Sequence, residues 1–568
     1  MCALTLLLLG GGCKKKQRKT TSVENTTDYA GNLQALVATK KLVSLHWSNF
    51  SDYQRYVTQF YDDRNYELAW TRDGKPTAAA QGFMQAFNDA EAKGLNPEDY
   101  DASLWAGRVA KLQGADGKPP ADAVSVFDVA MTVNVMRYIS DLRIGRVNPE
   151  HFHFGISVLS KKYDLAEFVS DNAVDAVDVP KLIASVEPDS EQYRETEAAL
   201  GRYLELAKQQ EQAHAEPLPM VKKAVSVGEA YPAVPELVAR LQLEGDLAAD
   251  VMASAVYDEQ VAEGVKSYQH RHGIAVDGKL TAQTITSMNV PLTERVIQLQ
   301  DSLERWRWLP NDYLNAPLMV NLPEFVLHGY DAEHKPAFTM KVVVGKVLGA
   351  HQTPVFAQMM RYLVFRPYWN VPYSIVKNEL MPHIRKSGLG YLASKNFEVT
   401  NGKGDVLTSY SARDVAQGAV QVRERPGAKN SLGLVKLMFP NQFSIYLHGT
   451  PATQLFDRTR RDFSHGCIRV QKPDELAAWA LQGQNGWDLE QVQEAMNSGP
   501  NNKTVNLKTP IPVVIFYVTG LVEDDGHVHF FDDIYGYDSD LQKVLAKGPP
   551  YPVKPDAVAG KAKDGDTA

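Results

Sequence analysis

From about Asn32 to Leu206 the apolar residues recur at helical spacing. Val126, Val129, Val133, Met136, Ile139 and Leu142 are three or four apart, which predicts one amphipathic helix with a single apolar stripe and a stop at Gly145. A Gln/Glu/Ala/Pro stretch, Lys208 to Pro219, breaks the period and reads as a linker or exposed helix end, so a boundary is expected near 220. From about 230 to 290 a small helical unit follows. Val261, Val265 and Tyr268 share one helix face, His272-Gly273 is its expected stop, and Asp277-Gly278 is a turn before Thr284-Ile285. From Leu318 onward the texture becomes β. Leu318 to Leu322, Lys341 to Val344, Tyr362 to Phe365, Ser444 to His448 and Val513 to Val518 are short β-rich runs separated by Gly, Pro and Asn. The fold class expected is therefore multidomain: a mostly α scaffold and a small α unit, followed by a mainly β domain. Beyond about Lys547 the Pro, Gly, Lys and Asp content predicts a disordered tail.

Composition narrows the function classes. With 568 residues there is chain enough for several cores. Sixty Lys plus Arg against 68 Asp plus Glu leaves a net charge of −8, which argues against a nucleic-acid partner held by a basic field. No apolar run approaches the roughly 20 residues of a bilayer-crossing helix. The cysteines are Cys2, Cys13 and Cys467, so the body carries one thiol and is not a disulfide scaffold. Leu4 and Leu6 to Leu9, followed by Gly10 to Gly12 and Cys13, resemble the end of a bacterial lipoprotein signal. That resemblance implies Cys13 as the lipidation site and a membrane-anchored protein. Lys14 to about Thr27 would be a polar tether.

The strongest chemical signal is the pair of segments Tyr446-Leu447-His448-Gly449-Thr450 and Ser464-His465-Gly466-Cys467-Ile468-Arg469-Val470. On a strand, the period of two places Phe443, Ile445 and Leu447 on one face and Ser444, Tyr446 and His448 on the other, a polar face. Cys467 follows His448 by 19 residues, so the Thr450 to Phe463 loop, which holds Arg458, Arg460 and Arg461, must bring two strands side by side. A thiol of pKa near 8.5 needs a positive field to act as a nucleophile at neutral pH, and a histidine opposite the cysteine would supply it. The Cys467 N–H, with a neighbouring amide or the Tyr446 hydroxyl, would stabilise the oxyanion of a tetrahedral acyl intermediate. His465 is open between a catalytic role and a turn residue with its ring packed outward. Arg469 is open between binding a substrate carboxylate and pinning the cysteine loop through backbone carbonyls. A zinc site from His448, His465 and Cys467 is the rival chemistry, but no fourth ligand stands at motif spacing, so no metal is expected there.

These residues and this spacing resemble the L,D-transpeptidase catalytic domain, of YkuD type. The resemblance implies Cys467 as nucleophile and His448 as base, with Ser464, His465, Gly466, Gly449 and Tyr446 shaping the site and Arg469 and Trp369 toward the substrate; for Trp369 a buried place in the core is the more common fate of a tryptophan. Val265 to Thr284 resembles a peptidoglycan-binding domain, with Thr281 where that family usually has glycine. Leu303 to Pro310, Val320 to Pro323, Tyr368 to Pro372 and Asp533 to Gly536 with Asp538 are similar to the large Gram-negative type of this enzyme. Tyr66 to Trp70, Gly94 to Pro97, Asp141-Leu142 and Gly145 to Pro149 look like its helical scaffold. The organisation expected is a signal and tether (1–31), scaffold (32–220), peptidoglycan-binding domain (221–295), catalytic domain (296–546) with a lid over about 378–437, and tail (547–568). What this implies is a periplasmic enzyme that cross-links third-position residues of peptidoglycan stem tetrapeptides through a Cys467 thioester, releasing D-Ala. No cofactor is implied, and carbapenems are implied inhibitors. Alternatives are an L,D-carboxypeptidase, an enzyme joining a lipoprotein to the wall, and a non-catalytic wall-binding lipoprotein.

Overall fold

The computed structural model describes residues 29–114, 118–347, 351–484 and 486–552. Cys13, the rest of the signal and nearly all of the tether lie outside the described residues, as does the tail beyond 552. Among the described residues no helix is long and apolar enough to cross a membrane.

The N-terminal part is helical apart from a short hairpin, β1 (Thr71–Arg72) with β2 (Lys75–Pro76). Its centre is the helix Ala121–Ile144. This helix is not the one-striped element its apolar spacing suggested, because nearly every side chain from Val124 to Leu142 is buried. The polar ones are matched by distant partners. Asp128 accepts from the Ala69 and Trp70 N–H groups and the Tyr61 hydroxyl, Asn134 donates to Asp101, Arg137 donates to the Asn49 carbonyl, and Asp141 accepts from Tyr100. Gly145 ends the helix at φ +86, where a Cβ would lie 2.8 Å from the Trp308 ring and 2.9 Å from Glu304. Glu304 in turn accepts from the Arg146 and Val147 N–H groups. Two motifs 158 residues apart in sequence, Gly145 to Pro149 and Leu303 to Pro310, thus form one joint.

The apolar clusters redraw the expected boundaries. Leu33 to Val186 contribute to one core. Phe154, Ile156 and the helix Glu191–Gln212 instead share a core with the C-terminal sheet, so 32–220 is not self-contained. A small separate core, Leu218 to Met288, includes helices Val234–Glu244, Glu259–Arg271 and Ala282–Met288. The Glu259–Arg271 helix ends at His272 with Gly273 at φ +60, as its sequence requires.

The C-terminal part is a nine-stranded sheet. Its strands are β3 (Leu318–Asn321), β4 (Val326–Tyr330), β5 (Pro336–Gly345), β6 (Phe356–Phe365), β10 (Val435–Met438), β11 (Leu447–His448), β12 (Asp462–Ser464), β13 (Ile468–Val470) and β14 (Lys503–Phe516). The order is β12-β5-β13-β11-β10-β6-β14-β3-β4, and β4 pairs again with β5, closing the circuit around the core. A hairpin of β15 (Gly520–Val522) and β16 (Val528–Phe530) follows. Between β6 and β10 the chain forms a small unit with its own core, from Val371 to Val422, around the sheet β7 (Trp369–Asn370), β9 (Gln421–Glu424) and β8 (Phe397–Thr400). This inserted unit begins nine residues before the expected 378 and gives way before 437, since Val435 to Leu437 belong to the main sheet.

Candidate active site

The two motif segments lie side by side because β11 and β13 pair in parallel, Leu447 with Ile468 and His448 with Arg469. This register corrects two expectations. The residue facing Cys467 across the strands is Tyr446, whose carbonyl accepts from the Ile468 N–H, whereas His448 faces Arg469. The run Ser444 to His448 is also not one strand. The Asn441 side chain accepts from the Phe443 and Ile445 N–H groups and donates to the Phe439 and Ile445 carbonyls, and Ser444 sits at φ +56. That turn leaves only Leu447 and His448 in the ladder. Ile445 and Leu447 still enter the core and Ser444 is exposed, but His448 is buried.

Across the sheet His448 is flanked by two cations, since β10 pairs Lys436 with His448 on its other side. Paired positions share a face of the sheet, so Lys436, His448 and Arg469 form one row. Burial, then Arg469, and at smaller weight Lys436, pull His448 down to about 3, against the Gly449 and Leu432 carbonyls that favour its charged form. Its Nδ1 lies 2.6 Å from the Gly449 carbonyl, which places the proton of the neutral ring on Nδ1. Gly449 itself is crowded by Gly433, which lies at φ +64.

Cys467 is half-buried, and its Sγ is 3.7 Å from the Ser444 carbonyl. Burial pushes the thiol above its ordinary value; the N–H and hydroxyl of Tyr446, Lys436 and Arg469 offset this in part. The positive field expected from an imidazolium is therefore supplied by Lys436 and Arg469, and the histidine is neutral. Lys436 falls inside the span expected for the lid, and its signal in the sequence is a lone lysine within the apolar run Leu434 to Met438. Its ammonium stands 5.4 Å from the centre of the Tyr446 ring.

The turn before the cysteine is fixed from beneath. Gly466 lies at φ +117, its N–H donates to the Ser464 hydroxyl, and its carbonyl accepts from Thr353. Thr353 accepts from the Gly345 N–H, and Tyr535 donates to the Gly345 carbonyl. Ser464 is thus a buried turn residue on β12, and the Gly466 amide is already engaged. Pinning of the loop falls to Arg461, which donates to the Val342, Arg458 and Phe325 carbonyls. Arg469 keeps a buried Nε with no partner among the described residues. His465 pairs with Glu379 of the inserted unit, Nε2 to Oε1 at 2.5 Å. Trp369 is half-buried on β7 and packs against the inserted unit's core.

Three domain models match along the chain. Residues 55–200 match the model of a scaffold domain, 231–288 that of a peptidoglycan binding domain and 317–515 that of the L,D-transpeptidase catalytic domain. A Haemophilus influenzae protein provisionally named an L,D-transpeptidase is 30% identical over 295 residues, 51% of this chain and 57% of that relative, so the match spans little more than half of the relative's length. The solved L,D-transpeptidase of Xylanimonas cellulosilytica aligns over 52% of this chain and 100% of its own at 13% identity, with a TM-score of 0.16. Residues 317–515, which hold His448 and Cys467, belong to the L,D-transpeptidase catalytic-domain family of YkuD type, behind a scaffold domain and a peptidoglycan-binding domain.

Proposed function

We propose that this protein is a cysteine L,D-transpeptidase of peptidoglycan, working at the cell wall and held at a membrane through Cys13. The observation that carries the reading is the parallel pairing of β11 with β13 inside the matched catalytic domain, which sets Cys467, Tyr446, His448 and Arg469 in one place. Cys467 attacks the carbonyl between the third-position diamino acid and the terminal D-Ala of a stem tetrapeptide. The Sγ–C bond forms as the C–N bond breaks, leaving a thioester and free D-Ala. His448 takes the thiol proton on its unprotonated nitrogen, and the Gly449 and Leu432 carbonyls steady the imidazolium that results. With the Gly466 amide engaged, the Cys467 N–H and the Tyr446 hydroxyl are the groups for the oxyanion. Arg469, with its unpartnered Nε, receives a stem carboxylate. An amine of a neighbouring stem then displaces the thiol and completes a cross-link between two third-position residues. Carbapenems acylate the same sulfur.

The deciding experiment incubates the parent and Cys467→Ala with disaccharide-tetrapeptides and reads the products by mass spectrometry. The parent releases D-Ala and yields a cross-linked dimer, and the variant does neither. Equal release by both, or by neither, refutes the proposal, and a tripeptide product without dimer makes the enzyme an L,D-carboxypeptidase.

A further inference from the structure

Away from Cys467, the helix Glu259–Arg271 of the small helical unit meets the β15–β16 hairpin. Arg271 donates to the Val528 carbonyl at 2.9 Å, and the His272 ring lies over Phe530 at 5.7 Å. At this seam a ring nitrogen of His270, a carboxylate oxygen of Asp525 and a ring nitrogen of His529 all lie within 4.8 Å of one another.

The surroundings prepare these atoms for one role. Asp525 sits in the hairpin turn with Oδ1 accepting the His527 N–H, so its Oδ2 remains, 2.9 Å from His529 Nε2. On the other side of that ring, Nδ1 is 3.1 Å from the Glu523 carboxylate. A ring that gives its Nδ1 proton to Glu523 presents the Nε2 lone pair to the place where Asp525 and His270 converge. A carboxylate behind a histidine is the usual support of a metal-ligating imidazole. His529 is 1% exposed, so its orientation is set by packing, while His270 and Asp525 are exposed and open to an ion from solvent. The two imidazoles stand edge to face, their ring centres 5.2 Å apart. A cavity of about 840 Å³ runs along this seam, and the buried His272 that also lines it has an Nε2 with no partner among the described residues.

We propose that His270, Asp525 Oδ2 and His529 Nε2 bind one divalent cation of the zinc class, with Glu523 orienting His529, and that this ion ties the peptidoglycan-binding unit to the catalytic domain. Two imidazoles and a carboxylate suit zinc, nickel or cobalt, and disfavour magnesium and calcium, which take oxygen ligands. Three protein ligands leave a fourth position for water. The site is separate from the cysteine chemistry and does not depend on the reaction proposed there.

The test uses the full, untagged chain stripped with EDTA and titrated with Zn²⁺ by calorimetry. The parent binds one equivalent with a Kd on the order of micromolar or tighter. His270→Ala and Asp525→Ala, both at exposed side chains and checked for folding by circular dichroism, weaken binding at least roughly tenfold each, the low end of what loss of a metal-site residue costs. Cys467→Ala binds like the parent, and Mg²⁺ does not compete. Co²⁺ gives the parent a visible ligand-field spectrum that His270→Ala lacks. The proposal is overturned if no saturable binding occurs up to about 100 μM Zn²⁺, roughly 5.5 kcal/mol of affinity. It is overturned equally if both exposed-residue variants bind like the parent, or if Cys467→Ala abolishes binding.

Discussion

A neutral thiol beside a neutral imidazole makes the pH dependence of Cys467 a sharp test. In a thiolate–imidazolium pair the cysteine would be reactive down to about pH 4 or 5, as in proteases where a histidine holds the thiolate. Here burial raises the thiol above its ordinary value and lowers His448 to about 3, so neither group is charged near neutrality. With its pKa held above that of an ordinary thiol, little of the sulfur is thiolate at pH 7. The rate of alkylation by iodoacetamide, followed by intact-protein mass spectrometry, should rise through a single inflection above that of an ordinary thiol and show no plateau in the acid range. Lys436→Met sharpens the test. A unit charge acting over roughly 6–8 Å at an effective dielectric near 20 is worth about 2–3 kcal/mol, or roughly 1.5–2 pKa units. Lys436 is only half-buried, and solvent screening reduces this to about one unit. The inflection should therefore move up by about one unit in the variant, and alkylation at pH 7 should slow about tenfold. A reactive plateau extending below pH 7 in the parent, or an unchanged inflection in Lys436→Met, would refute the charge assignment of the site.

Three further outcomes follow from the packing. Gly433→Ala places a Cβ 2.6 Å from the Gly449 carbonyl carbon at a backbone φ of +64; the left-handed penalty and the clash together cost about 2–5 kcal/mol, read as a lower urea midpoint, and a midpoint equal to the parent's contradicts the crowding. Asp141 is raised to about 7 in the folded chain, chiefly by burial, so the stability this shift confers is full below pH 3.8 and is lost as the pH rises through 7. Asp141→Asn should accordingly raise Tm at pH 8 and leave it nearly unchanged at pH 4, whereas a fall at pH 8 shows that the ionised carboxylate is needed by Arg146. The Glu379–His465 pair has side chains 48% and 25% exposed, so Glu379→Ala should cost no more than about 1 kcal/mol globally, yet speed hydrogen exchange in residues 373–394; unchanged exchange there means the pair does not hold the inserted unit.

What the sequence made legible were features set by neighbours in the chain. The helix ending at His272-Gly273 follows from local spacing and a glycine at positive φ. The motif pair at His448 and Cys467 follows from residue types that have little other reason to stand together. Features set by distant partners were not legible. Asp128, Asn134 and Arg137 read as the polar face of a helix, but Tyr61, Asp101 and Asn49 lie 33 to 88 residues away and let that face be buried. The turn at Ser444 escaped the period of two because it is imposed by one asparagine side chain, that of Asn441. Lys436 escaped because only strand pairing reveals that it stands beside His448.

That pairing bears on where the proton goes in the proposed reaction. Lys436 and Arg469 lie on either side of His448, and both act on Cys467 with the sign that favours thiolate. The same two charges oppose an imidazolium between them. A proton resting on His448 is thus held against the field, while the negative sulfur is held with it. The arrangement disfavours a stored ion pair and favours passing the proton onward, and the only basic group that the chemistry creates at that moment is the departing amine of D-Ala. On this reading His448 is a relay rather than a reservoir, and removing Lys436 has two opposed effects: it weakens the nucleophile and makes the histidine a better base. The thiol shift and the histidine shift should therefore separate in the variant, the first visible in alkylation and the second as a rise of the His448 titration toward its ordinary value in an NMR pH series.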